Sequence, residues 1–267
     1  MLPDIDKVTR LVESVAAEEV LPRFRTLADA DIRRKHGGEV VTVADEAAEA
    51  RLTAALIDLL PGSVVVGEEA AAADPAVIGR LSGLEPVWVI DPVDGTSNFS
   101  QGIGVFAVML AFVREGRIRA AWIHEPLAGR TAVAETGEGA WMGGQRLQVA
   151  TPKAPAEMRG TLYAGSFGDP ALIELVRTRR GRVLARKSRR CAGAEYMSLA
   201  TGEMDFALFT KLAPWDHAPG VLIQWEAGGI ASMLNGRPFD PVKPVEGLLL
   251  APDEPSWRAL HETLLGA

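Results

Sequence analysis

Residues 88–99 read Trp-Val-Ile-Asp-Pro-Val-Asp-Gly-Thr-Ser-Asn-Phe, an apolar run that ends in two carboxylates, a Gly and a Thr. Val87 to Ile90 is too apolar for a half-exposed strand, so it is predicted to lie inside a sheet. Pro92 has no N–H to give to a ladder, so the strand is predicted to end there. Asp91 and Asp94 then stand at its carboxyl end, with the Val93 carbonyl between them. Three hard oxygens within four residues suit Mg²⁺, which takes carboxylates, carbonyls and substrate phosphate. Gly95 lets the backbone approach a ligand closely, and Thr96 could open a helix whose free N–H groups face an anion. The same residues also read as a strand ending in a plain Pro-Asp-Gly turn.

Other acids sit at comparable places. Val40 to Thr42 leads into Asp45, which is placed to cap a helix running from Glu46 to Leu60, stopped by Pro61-Gly62. Val64 to Val66 is a short apolar strand running into Gly67-Glu68-Glu69, acids that also fit an ordinary surface. Trp215-Asp216-His217 precedes a helical run over Gly220 to Ala227, where Asp216 again fits a cap and His217 a surface position at a helix start. The single Cys191 has no evident activating His and is expected to be buried packing.

The elements that must position these residues are legible in outline. Leu2, Ile5, Val8, Leu11, Val12 and Val15 recur at helical spacing and predict an amphipathic helix, kinked or ended near Pro22. His36-Gly37-Gly38 is a loop, and Ala70 to Gly83 an Ala-rich surface segment. Strands are predicted over 104–113, 118–123, 131–136 and 140–149, so residues 1–150 form an α+β half with a largely antiparallel sheet. Thr151-Pro152-Lys153-Ala154-Pro155 marks the boundary. Residues 151–267 alternate as an α/β half: strands over 160–164, 205–209, 229–233 and 248–251, with helices over 170–179, 193–200, 220–227 and 255–265.

Composition narrows the function. The chain of 267 residues is 48% hydrophobic and 24% charged, the balance of a globular protein with one large domain or two halves sharing a core. A net charge of −7 argues against general nucleic-acid binding. One cysteine excludes an internal disulfide and fits a reducing compartment. The acidic start lacks the apolar core of a signal peptide, and no apolar run approaches the roughly 20 residues of a membrane span. A cytoplasmic protein is expected. Residues 177–190 hold 8 of the 28 basic residues and no acid, which leaves 20 basic against 35 acidic residues elsewhere. That run reads either as a solvated face or dimer contact, or as a rim attracting an anionic substrate.

Gly67-Glu68-Glu69, Asp91-Pro92-Val93-Asp94-Gly95-Thr96 and Trp215-Asp216, in that order, resemble the signature set of the inositol monophosphatase family. Val41-Thr42-Val43-Ala44-Asp45 resembles that family's upstream motif, and Gly228-Gly229 its later Gly-Gly pair. The resemblance spans nearly the whole chain. It implies a layered αβαβα sandwich, a homodimer, and Mg²⁺-dependent hydrolysis of a small phosphorylated metabolite with two or three ions. By motif position it implies that Glu68, Asp91, the Val93 carbonyl, Asp94 and Asp216 are metal ligands. Asp45 and Thr96 resemble the pair that activates the attacking water, and Glu69 a ligand or neighbouring acid for a weaker metal. Gly95 and Thr96 N–H groups would hold the phosphate, and Ala192 and Phe209 match substrate-contacting positions.

The chemistry needs these residue types. A phosphomonoester carries about two negative charges that repel hydroxide, and carboxylates alone would worsen the repulsion. Bound metal reverses the local sign, so the acidic cluster makes sense only with it. Substrate choice departs from the inositol-specific pattern. Those relatives carry a Glu seven residues before the Trp-Asp aspartate, where this chain has Phe209, which cannot accept a bond from a hydroxyl. Arg190 and Cys191 also depart from the Gly-Ser-Ala-Ala run of many relatives. Inositol 1-phosphate is therefore not expected to be the best substrate. Fructose 1,6-bisphosphate, histidinol phosphate and bisphosphate nucleotides are alternatives, although Asn98-Phe99 resembles the inositol and fructose-bisphosphate branches. A second class stays open: some bacterial relatives act mainly as binding partners in transcription complexes.

Overall fold

The computed structural model describes residues 2–35, 38–163, 169–242 and 247–266. Residues 36–37 of the expected loop and Ala164 at the expected end of a strand lie outside them. Helix α1 (Ile5–Val15) is capped by Asp4, whose carboxylate accepts from Lys7 N–H, and continues through π and 3₁₀ turns to Arg23. A small hairpin follows, β1 (Ile32–Arg34) and β2 (Val40–Thr42), and then α2 (Val43–Leu59). The α2 cap is Thr42, not Asp45 as expected. Asp45 is the third helical residue and reaches back to Thr42 N–H (2.9 Å), closing a capping box.

Next come β3 (Val64–Gly67), α3 (Glu68–Ala73), β4 (Val87–Asp94), α4 (Thr96–Ser100) and the meander β5 (Ala107–Arg114), β6 (Arg117–Glu125), β7 (Arg130–Glu135), β8 (Gly139–Met142) and β9 (Gln145–Arg146). β3 to β9 form one seven-stranded sheet in chain order, parallel only between β3 and β4. The predicted stop at Pro92 does not occur. β4 runs to Asp94 because its pairing with β5 shifts register between Asp91 and Asp94, so no ladder bond is demanded of Pro92. Within 70–83, expected to be a surface segment, Ala71, Val77 and Leu81 are buried, and Val77 and Leu81 join the main core.

The second half adds β10 (Arg159–Tyr163), α5 (Pro170–Arg179), β11 (Leu184–Arg186), α6 (Ala192–Ala200), β12 (Phe206–Phe209), α7 (Pro214–Glu226), β13 (Ile230–Met233), β14 (Leu248–Ala251) and α8 (Glu254–Leu265). Its five strands are ordered β11-β10-β12-β14-β13. Helix α7 starts six residues before the expected Gly220. Pro214 occupies its first position, where a missing N–H costs nothing, and Pro219 is carried inside. β11 was not expected, since it lies within the basic run.

Three apolar clusters fill the four interfaces between five structural layers. Val8 and Val12 of α1 and Ala48 and Leu52 of α2 pack on Trp88, Ile90, Leu110 and Trp122, one face of the large sheet. Val87, Val89, Met109 and Ala111 point the other way, onto Met197 of α6 and Val221 and Leu222 of α7. Those helices also cover Ala207, Leu248 and Leu250 of the second sheet, whose far face packs Leu208 and Leu249 against Val176 of α5 and Leu260 of α8. The order is αβαβα. Both faces of β4 are buried, which is why it reads as continuously apolar. Helix α6 lies between two sheets and is buried all round from Gly193 to Ala200. The central layer gives the two halves a common core.

Candidate active site

The carboxyl end of β4 meets the starts of α3, α6 and α7. There a cleft of about 810 Å³ is lined by Glu68, Asp91, Val93, Asp94, Gly95, Thr96 and Asp216, residues drawn from both halves of the chain. Asp45 lies behind this wall, fully buried, and is tied to it through Thr96, whose Oγ1 stands 3.0 Å from Asp45 Oδ1 and 2.8 Å from the Val93 carbonyl. The hydroxyl has one proton for two acceptors. Asp45 Oδ2 accepts from Thr42 Oγ1 (2.6 Å) and Thr42 N–H. Burial pushes Asp45 up to about 7, opposed by its Thr42 bonds.

Gly95 makes the corner. Its φ of 85° is left-handed, and a Cβ there would lie 2.9 Å from the Val105 carbonyl and 3.1 Å from Cys191 Cβ. Asp91 is 2% exposed and accepts from Val93 N–H at 3.1 Å. Burial, with Glu68, Asp94, Asp216 and Asp45 adding like charge, pushes it well above the usual carboxylate range. Asp216 is pushed up by burial and then by Glu68 and Asp94. Asp94 is also raised by burial, though bonds from Cys191, Gly193 and Ala192 oppose this.

Two ligand candidates are held by other groups. Asp94 Oδ2 accepts from Gly193 N–H (2.6 Å) and Cys191 Sγ (3.0 Å), and Oδ1 from Ala192 N–H (3.1 Å). Lys35 Nζ donates to Glu68 Oε1 (2.8 Å) and Glu69 Oε1 (2.7 Å). Burial works against the Lys35 charge, but the two glutamates outweigh it and raise its pKa. One ammonium cannot fully compensate two half-buried acids, and burial with Glu68 nearby pushes Glu69 up to about 8. In this arrangement no three His, Cys, Asp or Glu side chains among the described residues already stand in ligand geometry. The donors are nonetheless all oxygens, and the cluster concentrates buried negative charge. That chemistry fits a hard divalent cation once Glu68 and Asp94 turn from their present partners.

Glu49 is a positioning residue that the sequence reading missed. Its Oε2 accepts from Glu69 N–H and its Oε1 from Ala70 N–H, both at 2.8 Å, fixing the start of α3. Gly67 permits this, because a Cβ there would lie 2.3 Å from Glu49 Cδ. Glu49 follows Asp45 by four residues on α2, so it shares Asp45's face, and that spacing was a usable signal. Lys35 and Lys211 were also missed and carry no pattern that singles them out.

Beside Asp94 and Asp216 a smaller recess of about 90 Å³ is lined by Ala192, Phe209, Cys191, His217 and Arg190, among others. His217 is buried, not on the surface as expected. Its Nε2 faces the Lys211 carbonyl (2.8 Å), which only accepts, so that nitrogen carries the proton and Nδ1 accepts from Tyr196 Oη (3.0 Å). Burial lowers His217 to about 4. Phe209 stacks on Tyr196 and meets His217 edge-on. Cys191 is buried, and burial and Asp94 push its thiol well up, which favours the neutral thiol. The basic run is divided between elements. Arg177 pairs with Glu174, Arg182 reaches the Thr263 carbonyl, and Arg190 alone of the run lines the main cleft.

A layered αβαβα sandwich with an acidic, all-oxygen cluster at the junction of its sheets defines a class of metal-dependent phosphatase. Residues 2–267 match the inositol monophosphatase family, and the chain belongs to it. It is 30% identical over 212 residues to a fructose-1,6-bisphosphatase/inositol-1-monophosphatase of Thermotoga maritima, covering 78% of this chain and 77% of that one. It is 30% identical over 244 residues to the Nus factor SuhB of Pseudomonas aeruginosa, covering 88% and 87%. Among solved structures, a Thermotoga maritima IMPase superposes with a TM-score of 0.78 over 97% of this chain and 96% of that one, at 22% identity. Among the described residues no helix is long and apolar enough to cross a membrane.

Proposed function

We propose that this protein is a Mg²⁺-dependent hydrolase of small phosphomonoesters, acting through activated water. The observation that supports this most is the convergence of Glu68, Asp91, the Val93 carbonyl, Asp94 and Asp216 on one cleft, with the Asp45–Thr96 pair in its wall. Those five residues would hold the ions, with Glu69 beside a weaker one. Bound Mg²⁺ neutralises phosphoryl oxygens and acidifies water. Thr96 Oγ1 orients the attacking water, and Asp45, with its raised pKa, receives the water's proton through it. Gly95 and Thr96 N–H groups face the phosphate. Water oxygen bonds to phosphorus, the ester P–O bond breaks, and the leaving oxygen takes its electron pair and a proton from solvent, which Asp45 returns when it releases the proton it received. Positioning does the work without a covalent intermediate. In this reading residues 1–150 supply most of the metal site, and residues 151–267 supply Asp216 and the substrate contacts. The enzyme works as a cytoplasmic homodimer.

Phe209 places an apolar ring where a polyol-specific site needs an acceptor, so inositol 1-phosphate is not the preferred substrate. The test is a Mg²⁺-dependent screen across inositol, sugar, histidinol and nucleotide phosphates. Preference for inositol 1-phosphate would sink the substrate reading, and no metal-dependent hydrolysis would sink the enzyme reading. Similarity to the Nus factor SuhB of Pseudomonas aeruginosa and of Escherichia coli favours a second reading, a partner in a transcription complex. Asp91→Asn separates the two: a cellular effect that survives the substitution belongs to binding, and one that is lost belongs to catalysis.

A further inference from the structure

Arg190 has a φ of 58°, in the left-handed region that a non-glycine residue occupies only where its surroundings hold it. Its N–H donates to Ser188 Oγ (3.0 Å), and Asn98 Nδ2 donates to the carbonyls of Arg189 (2.9 Å) and Arg190 (3.4 Å). Asn98 sits two residues after Thr96, so this strained backbone is fastened to the catalytic corner. The side chain is fastened too: Nη2 donates to Ser97 Oγ at 3.0 Å.

The guanidinium stands where the cleft and the recess meet, since Arg190, Lys211, Asp94 and Asp216 line both. The other cations of the cleft are engaged. Arg33 pairs with Glu46, Arg34 donates to the Gly38 carbonyl (2.8 Å), and Lys211 pairs with Glu39. Arg190 forms no ion pair among the described residues. Of the acids lining the recess, Asp216 is a proposed metal ligand, and Asp94 and Glu195 already accept hydrogen bonds. Asp94 is held by Ala192, Gly193 and Cys191, while Glu195 accepts from Arg189 N–H (2.7 Å) and Thr161 Oγ1 (3.2 Å). Phe209 adds no acceptor. With Asp216 committed to the metal, the recess offers a cation and an apolar wall but few free acceptors for a neutral hydroxyl, and its 90 Å³ matches about three waters, the size of one carboxylate or phosphate group.

We propose that the alcohol released at this site carries a second anionic group, a carboxylate or a phosphate, and that Arg190 reads it at the mouth of the recess with Lys211 beside it. This rests on the phosphatase reading above. Arg190 is a specificity residue here: its fork of donors suits either oxyanion.

The test measures kcat/KM at saturating Mg²⁺ for matched pairs: 3-phosphoglycerate against glycerol 3-phosphate, and fructose 1,6-bisphosphate against fructose 1-phosphate. p-Nitrophenyl phosphate serves as the common reference. The wild type should prefer the doubly anionic member of at least one pair by about 10- to 100-fold, the worth of one charge-assisted contact. The pair that shows the preference tells carboxylate from phosphate. Arg190→Gly, which relieves the left-handed φ and so keeps the fold, should bring that ratio close to one, chiefly through KM. Lys211→Met should lower it less. Hydrolysis of p-nitrophenyl phosphate with no preference in either pair overturns this inference alone. So does a preference that survives both Arg190→Gly and Arg190→Met. Failure to hydrolyse any of the five compounds overturns the phosphatase reading and this inference together.

Discussion

Glu49→Gln tests how the Glu68 end of α3 is held. Glu49 is 6% exposed and accepts with both oxygens from the N–H groups of the second and third residues of α3, each at 2.8 Å. A glutamine of the same shape keeps one acceptor and turns an NH₂ toward the other N–H. The loss is one charge-assisted bond, about 1.5–3 kcal/mol, and one buried N–H left facing a donor, about 1–3 kcal/mol. Burial already raises the Glu49 pKa, so removing its charge returns some of the desolvation cost. The net expectation is a loss of about 2 kcal/mol, read by urea denaturation in the presence of a chelator. Because α3 begins with Glu68, the same variant should weaken Mg²⁺ about tenfold by calorimetric titration, as losses beyond the ligands themselves commonly do. Gly67→Ala should produce the same double loss by a different route, since its Cβ would displace the Glu49 carboxyl. If Glu49→Gln left both stability and Mg²⁺ affinity unchanged, the carboxylate would not be what positions Glu68.

Three other perturbations probe the rest of the molecule. Asp91→Asn retains the acceptor for Val93 N–H while removing a buried charge from among four other acids. The metal-free variant should be more stable, on the order of 2 kcal/mol, yet turn over at least about a thousandfold more slowly; a destabilised or active variant contradicts this. Gly220→Ala would bring a Cβ within 2.1–2.3 Å of the Tyr196 ring between α6 and α7. It should cost more than about 2 kcal/mol, and an unchanged thermal midpoint would refute the close packing. His124 is buried beside Thr131, and burial holds its pKa below the ordinary 6.5. As pH falls through 6.5 the unfolded chain takes up a proton that the folded chain resists. Its contribution is therefore full above that pH and shrinks below it, and His124→Gln should flatten the stability profile between pH 7 and 5.

The candidate site was legible in the sequence wherever chemistry is written locally. Asp91, Val93, Asp94, Gly95 and Thr96 are neighbours in the chain, and their types and order name hard-oxygen donors at a strand end whatever surrounds them. Most strands were legible for a related reason: apolar runs bounded by Gly and Pro report burial. Boundaries failed where a long-range pairing overrode a local rule. Pro92 stays in β4 because of a register shift against β5, and α7 reaches back to Pro214 despite Pro219. His217 reads as a helix-start surface residue, yet Tyr196, Phe209 and Phe239 pack around it and bury it.

What the sequence determined by itself is the donor chemistry, the alternation of elements and the family to which the motifs belong. The motifs already implied that Asp45 pairs with Thr96; tertiary structure alone decided that Glu49 meets the start of α3, Lys35 meets Glu68 and Glu69, and Arg190 meets Ser97 at the recess. Those three pairings span 20, 33 and 93 residues, and no local pattern encodes them. They exist because two sheets packed on one helical layer bring strand ends and helix starts to a single seam.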